Sequence, residues 1–150
     1  MKPAQELSTI RESMRTQMAV RQDEAAPGQL IHIMVCAGTG CTSSRSLEIL
    51  QAFEHELEVQ GLSQRVRAVR TGCFGLCAMG PVVLVHPEGV FYTHVTPEDV
   101  PETILKHIIG GRRVQRLLHR EADTGEVVER LTDTEFFQPQ MRIALRNCGK

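Results

Sequence analysis

Residues 30–41 read Leu30-Ile31-His32-Ile33-Met34-Val35-Cys36-Ala37-Gly38-Thr39-Gly40-Cys41, an apolar run that leads directly into a glycine-rich loop. A short apolar run of this kind is typical of a buried strand. The loop that follows it holds two cysteines with four residues between them. This stretch therefore predicts a strand that ends at a loop carrying two thiols.

A second loop of the same kind follows the next predicted strand. Residues 66–70 read as a strand, and the glycine-rich residues 71–81 after it carry two cysteines with three residues between them. If the two strands are neighbours in the sheet, both loops emerge at the same end. The sequence then predicts that four thiols converge there: Cys36, Cys41, Cys73 and Cys77.

The remaining elements predict an α/β fold with a mixed sheet. A helix follows Cys41, with an N-cap at Thr42, Ser43 or Ser44, an end at Gly61 and an apolar face formed by Leu47, Leu50, Phe53 and Leu57. Residues 82–85 and 90–92 read as a hairpin, since Pro87-Glu88-Gly89 joins them. A last helix begins at Thr96, with Ile104, Leu105, Ile108 and Ile109 facing inward. The order strand, helix, strand, hairpin, helix favours helices packed against the sheet.

Composition shifts suggest three segments: 1–28, 29–111 and 112–150. In the first, Leu7, Ile10, Met14 and Met18 form a narrow apolar stripe before a break at residues 25–28, which predicts an amphipathic helix that docks on this domain or on a partner. The last segment has only short apolar pieces, such as Phe136-Phe137, and reads as an irregular extension.

The overall composition excludes several classes of protein. The 150 residues are 41% hydrophobic and 23% charged, with a net charge of −1, which gives no sign of nucleic-acid binding. No apolar run approaches the length of a membrane span, and the N-terminus does not resemble a secretory signal. The sequence therefore predicts a cytoplasmic protein, where thiols stay reduced and serve as ligands or redox groups.

Four paired thiols suit a [2Fe–2S] cluster, two for each iron, and Gly38, Gly40, Gly72 and Gly75 would let the backbone turn tightly around it. Structural zinc also takes four cysteines, and both spacings fall within or at the edge of the zinc range. A dithiol redox site is disfavoured because no C-x-x-C motif is present. Four buried cysteines without a ligand would not explain two glycine-rich loops. Spacing alone leaves iron–sulfur and zinc open.

Other candidate sites are weaker. Gly38-Thr39-Gly40 lacks the third glycine of a dinucleotide loop and the Lys-Ser/Thr of a P-loop. None of the six histidines pairs with a cysteine at ligand spacing, so they read as core or surface residues and a Rieske site is disfavoured. Cys148 reads as a lone reduced thiol.

The motifs around the cysteines resemble one family. Val35 to Cys41, Arg70 to Gly75 and Pro87 to Tyr92 are similar to the thioredoxin-like [2Fe–2S] ferredoxins. They look most like the version at the N-terminus of the NADH-binding flavoprotein subunit of NAD-dependent hydrogenases and formate dehydrogenases. Arg146-Asn147-Cys148-Gly149 resembles the point at which such subunits lead into their flavin domain.

This resemblance implies a four-stranded thioredoxin-like sheet and a [2Fe–2S] cluster, with Cys36 and Cys41 on one iron and Cys73 and Cys77 on the other. It further implies one-electron transfer to or from a flavin/NADH module, with that module and other iron–sulfur subunits as partners. A homo-oligomer is compatible with the sequence. The flavin and NADH loops of the larger subunits are absent here, so the chain is not expected to be catalytic towards NADH alone.

Overall fold

A computed structural model describes residues 4–20, 30–141 and 143 of the chain. Several features discussed above lie outside the described residues. They are the side chain of Met18, the break predicted at residues 25–28, Cys148 and its neighbours 146–149.

The centre of the fold is a four-stranded mixed sheet in the order β2-β1-β3-β4. Its strands are β1 (Ile31–Cys36), β2 (Val66–Thr71), β3 (Val83–His86) and β4 (Val90–Tyr92). Strand β1 runs parallel to β2 and antiparallel to β3, and β3 runs antiparallel to β4. Because Cys36 lies opposite Thr71 in the parallel pair, both cysteine loops leave the sheet at the same end. The predicted mixed sheet is confirmed.

The helices of the fold begin with α1 (Ala4–Val20), whose apolar side chains Leu7, Ile10 and Met14 are all exposed. Docking of α1 on a partner therefore stays a prediction. A short α2 (Thr39–Ser43) and a longer α3 (Ser46–Val59) lie between β1 and β2. Among the helices that the structure describes, none has the length and apolarity that a membrane crossing requires.

Helix α3 covers one face of the sheet, but it begins later than predicted. Its N-cap is Arg45, in the left-handed conformation with φ of 69°, and no side chain caps it. This turn separates α2 from α3 and rotates the buried face, so Ser46, Ile49, Phe53 and Leu57 point inward. The predicted N-caps and the predicted burial of Leu47 were wrong. Gly61 does end the helix, with φ of 66°, as a C-cap glycine commonly does.

The second helical region spans residues 97–109 and changes its winding along its length. A 3₁₀ turn (Pro97–Asp99) leads into α4 (Val100–Thr103) and then into a π-helix (Ile104–Ile109). The wider π turn, with Gly110 N–H donating to Leu105 O, brings His107 inward. Ile104 is buried as predicted, but Leu105 and Ile109 are exposed, so their inward placement was wrong.

The segment from residue 112 onward packs back onto the sheet. It contains 3₁₀ turns (Gln115–Leu117 and Leu131–Asp133) and a small hairpin of β5 (His119–Arg120) and β6 (Val127–Val128). Isolated bridges join Tyr92 to Leu118 and Val90 to Arg130, next to the edge strand β4. The segment thereby supplies buried side chains to both faces of the sheet.

Two hydrophobic clusters form the core of the part of the chain that the structure describes. The first contains Ile33, Val35, Phe53 and Tyr92 and packs beneath α3 and residues 97–109. The second contains Met34, Cys36, Leu84 and Phe91 from the sheet together with Cys41, Phe74, Leu76, Val82 and Phe137. Because side chains alternate along a strand, the odd residues of β1 face the first cluster and the even ones the second. The cysteine loops therefore belong to the second cluster.

Candidate metal centre

The first cysteine loop is tied to the sheet by backbone hydrogen bonds. Cys36 N–H donates to Val82 O at 3.0 Å, and Ala37 N–H donates to Thr71 O at 3.0 Å. The chain then turns at Gly38 into α2, which places Cys41 in a buried position. Both thiols of this loop are thus held at the end of β1 and shielded from solvent.

The second cysteine loop is anchored by apolar side chains and leaves its thiols exposed. Phe74 and Leu76 are buried in the second cluster, whereas Cys73 and Cys77 are exposed. Gly75, with φ of 88°, directs its N–H to the Sγ of Cys73 at 3.3 Å. The two Sγ atoms lie 3.9 Å apart. That separation is close to the roughly 3.8 Å expected for two thiolates on one tetrahedral ion with bonds of about 2.3 Å.

Glycines let the two loops meet. A β-carbon at Gly38 would lie 2.9 Å from Cβ and 3.1 Å from Sγ of Cys73, and one at Gly80 would lie 2.8 Å from Sγ of Cys41. A β-carbon at Gly40 would lie 3.7 Å from Sγ of Cys77, in ordinary contact. Of the four glycines predicted for the site, Gly38 and Gly40 thus lie against thiols. The backbone N–H of Gly75 donates to the Sγ of Cys73. A β-carbon at Gly72 would meet nothing within 4 Å.

The thiols influence each other electrostatically across the two loops. Burial raises the pKa of Cys41 to about 11, reinforced by a hydrogen bond with Cys36 and by the charges of Cys36 and Cys77. The pKa of Cys77 is also raised, chiefly by its hydrogen bond with Cys73 and the charge of that thiol. Without a metal, Cys41 and Cys77 therefore keep their protons at neutral pH. Metal binding at these thiols would release protons.

The four cysteine thiols suit a metal centre that is held by pairs of thiolates. Two of the four cysteines are buried and two are exposed, and the Cys73–Cys77 pair has the spacing of ligands on one ion. Among the described residues, no group of three or more His, Cys, Asp or Glu side chains is arranged around a single metal ion. A β-carbon at position 38 or 80 would collide with a cysteine of the site, so glycine at these positions lets the loops lie close together.

Phe137 lies near the site and was not predicted from the sequence. It lies in the same buried cluster as Cys36, Cys41 and Phe74, with Leu131 packed against that cluster. The sequence showed only a short apolar pair, Phe136-Phe137, without the periodicity that marks a buried face. Only long-range packing places one phenylalanine inside and the other outside.

The histidines behave largely as predicted. His32, His86, His107 and His119 are buried, and His55 and His94 are exposed. His94 lies beside the second cysteine loop, since its backbone N–H donates to Met79 O at 2.9 Å. In the first cluster, the Tyr92 hydroxyl pairs with Nδ1 of His107 at 2.9 Å.

Comparison with known proteins decides the nature of the group. Residues 22–108 match the family model for thioredoxin-like [2Fe–2S] ferredoxins. The chain belongs to this family. Its cofactor is thus a [2Fe–2S] cluster, which settles the choice between iron–sulfur and zinc that spacing left open.

The relatives of this ferredoxin domain are small 2Fe–2S ferredoxins. One from Clostridium pasteurianum is 44% identical over 94 residues, which cover 57% of this chain and 92% of the relative. Another from Aquifex aeolicus is 38% identical over 96 residues, which cover 58% of this chain and 86% of the relative. The crystal structure of the wild-type thioredoxin-like [2Fe–2S] ferredoxin from Aquifex aeolicus matches with a TM-score of 0.58 at 36% identity, covering 62% of this chain and 99% of that one. The thioredoxin-like fold and the electron-transfer class are thereby established.

Proposed function

We propose that Cys36, Cys41, Cys73 and Cys77 bind the [2Fe–2S] cluster, the first two on one iron and the last two on the other. The contact between the two loops at Gly38 and Cys73 supports this assignment, because it brings thiols from distant parts of the chain to one place. The 3.9 Å spacing of Cys73 and Cys77 supports their assignment to the same iron.

The protein's residues have separable roles at such a site. When bound, the cluster accepts and returns one electron at a time. Burial of Cys36 and Cys41 excludes water from one side, and the exposed Cys73 and Cys77 offer the short path for electrons to leave. The Gly75 N–H that donates to Cys73 Sγ stabilises negative charge on that sulfur. Such hydrogen bonds, together with solvent exposure, set the reduction potential.

Spectroscopy of single-cysteine variants tests the ligand assignment. The protein, purified without oxygen, should show the visible absorption of a [2Fe–2S] cluster, with equal iron and acid-labile sulfide. Replacing Cys36, Cys41, Cys73 or Cys77 by alanine should abolish or alter this spectrum. Cys148→Ala is the matched control and should leave it unchanged. A normal spectrum in the Cys73→Ala protein would refute the assignment.

We further propose that the chain relays electrons between a cytoplasmic flavin/NADH module and other iron–sulfur subunits. The support is the sequence resemblance to the first domain of such flavoprotein subunits. In this arrangement residues 29–111 form the cluster domain, 1–28 supply a helix for assembly, and 112–150 lead towards the flavin domain or partner. The exposed apolar side chains of α1 suit a helix that packs against another subunit.

Reduction by NADH tests this relay. Hydride transfer requires a group that accepts two electrons and releases them singly, such as a flavin. The isolated chain should therefore be reduced by dithionite and remain oxidised with NADH alone. Adding a flavin-containing NADH dehydrogenase module should restore reduction by NADH. Rapid bleaching by NADH in the flavin-free chain would contradict the proposal.

A further inference from the structure

Residues 131–141 lie against the buried side of the cysteine site. Phe137, in the middle of this segment, belongs to the same buried cluster as Cys36 and Cys41. The family model matches residues 22–108, so the segment lies beyond the part of the chain that matches the ferredoxin family. This chain therefore places a further piece of structure over the half of the site whose thiols are shielded from solvent.

The segment contains a tight turn that is stabilised by Thr134. The side chain of Thr134 is buried, and its hydroxyl donates to Leu131 O at 2.9 Å. The carbonyl of Thr134 accepts the N–H groups of Phe137 and Gln138, each at 2.9 Å. These hydrogen bonds run within the segment. They fix the shape of the turn, and a different contact has to fasten the turn to the rest of the protein.

The carboxylate of Glu121 makes that contact from the β5–β6 hairpin. Its Oε1 accepts the backbone N–H of Glu135 at 2.9 Å, and its Oε2 lies 3.3 Å from Nε2 of His119. Both side chains are largely buried, with Glu121 13% exposed and His119 9% exposed. The hydrogen bond from Glu135 is the main cause of the lowered pKa of Glu121. The group is therefore ionised at neutral pH, and an ionised carboxylate is a strong acceptor.

The other end of this contact is anchored on the sheet. The ring of His119 lies 5.7 Å from the ring of Phe91, measured between centroids, and Phe91 is fully buried in β4. A continuous set of contacts thus runs from the sheet through His119 and Glu121 to the N–H of Glu135. Glu135 is only two positions before Phe137, so the position of the buried ring depends on this link.

We propose that residues 131–141 form a cover over the Cys36 and Cys41 side of the site, and that Glu121 is a positioning residue that holds this cover closed through Phe137. The inference rests on the proposed ligand assignment. While the Glu121–Glu135 hydrogen bond is made, the ring of Phe137 keeps water and small molecules away from the buried thiol pair. Without it the turn opens more often, because segments with few contacts to the rest of a fold open locally.

Hydrogen exchange of the holoprotein, followed by mass spectrometry, measures how firmly the cover is held. In Glu121→Ala the amides of residues 131–141 should exchange about fivefold faster, the change that loss of one hydrogen bond typically makes in an opening equilibrium. Glu121→Gln keeps an acceptor oxygen and should restore most of the protection. Glu126→Ala removes the same charge from an exposed position of the same hairpin and should exchange like the wild type. Equal exchange in Glu121→Ala and Glu126→Ala would overturn the proposal.

Loss of iron to a chelator measures what the cover does for the site. The holoprotein is mixed with excess EDTA without oxygen, and the decay of its visible absorption is followed. Glu121→Ala should lose iron about fivefold faster than Glu126→Ala, in step with the opening of the segment. The double variant Glu121→Ala/Phe137→Ala should lose iron no faster than Phe137→Ala alone, because Glu121 acts through Phe137. Additive effects of the two substitutions, or unchanged iron loss despite faster exchange, would refute the cover.

These outcomes separate the cover from the proposed ligand assignment. If the wild-type chain shows a normal cluster spectrum but Glu121→Ala behaves like Glu126→Ala, the cover is wrong and the four cysteine ligands stand. A wild-type chain that takes up no cluster would refute both.

Discussion

A β-carbon built on Gly38 would lie 2.9 Å from the β-carbon of Cys73, a distance that side-chain carbons do not adopt without movement. The two cysteine loops therefore meet because position 38 has no side chain. Gly38→Ala would have to push against the backbone-attached carbon of Cys73 rather than a flexible side-chain end. We expect this variant to lose the cluster or to bind it much more weakly.

The measurement for Gly38→Ala is the iron and sulfide content after anaerobic reconstitution, with Gly125→Ala as the control. Gly125 lies in the β5–β6 turn with open space around it, although its φ of 71° makes alanine mildly strained there. The control should destabilise the turn slightly and retain full cluster content. Full occupancy in Gly38→Ala would show that the loops can move apart without cost to the site.

Phe137 should stabilise the cysteine-bearing face, because it is buried in the cluster that contains Cys36, Cys41 and Phe74. Phe137→Ala should lower the free energy of unfolding by up to about 3 kcal/mol and accelerate loss of iron to a chelator. Phe136→Ala is a matched control, since the neighbouring ring is half exposed. Equal chelation rates for the two variants would argue against a role for the 112–141 segment at the site.

Tyr92 connects β4 to residues 97–114 through a buried polar chain. Its hydroxyl accepts from Val114 N–H at 3.1 Å and pairs with Nδ1 of His107 at 2.9 Å. Burial raises the pKa of Tyr92 to about 12 and lowers that of His107, so both are neutral at pH 7. Tyr92→Phe would leave two buried groups without a partner and should cost about 1–3 kcal/mol in urea unfolding. The cluster spectrum should not change, and a change would mean that this network reaches the site.

Asp99 forms a capping box with Thr96 at the start of the helical region 97–109. Its carboxylate accepts from Thr96 N–H at 2.8 Å and pairs with Arg116 at 2.5 Å. Burial alone would raise the pKa of Asp99, but the hydrogen bonds from Thr96 and the Arg116 charge outweigh it and lower the pKa. Asp99→Asn should therefore reduce stability by about 1 kcal/mol.

The contribution of Asp99 to the free energy of unfolding should fall at low pH. Because the folded pKa is lowered, the stabilisation is fully present above the unfolded value of about 3.9 and is lost as pH falls through the folded pKa. The stability difference between wild type and Asp99→Asn should then be constant from pH 5 to pH 7 in urea titrations. A difference that vanishes within this range would contradict the lowered pKa.

The sequence by itself determined the features that depend on local chemistry and on spacing. Cysteines placed directly after two predicted strands indicated where the thiols would gather, and the parallel pairing of β1 with β2 brings the two loops to one end of the sheet. Gly61 ended α3 as expected because a left-handed C-cap depends on the residue itself. The hairpin around Pro87-Glu88-Gly89 follows from turn residues between two apolar runs.

Tertiary structure alone decided which side chains of the helices and of the final segment are buried. Leu47, Leu105 and Ile109 have apolar side chains at positions where burial was expected, yet they are 36%, 52% and 54% exposed. The left-handed turn at Arg45 and the π-helical winding of Ile104–Ile109 rotate those faces, and neither is encoded by hydrophobic periodicity. Phe137 is buried only because the chain returns across the sheet. Such burial depends on contacts between residues far apart in sequence, which a local pattern does not contain.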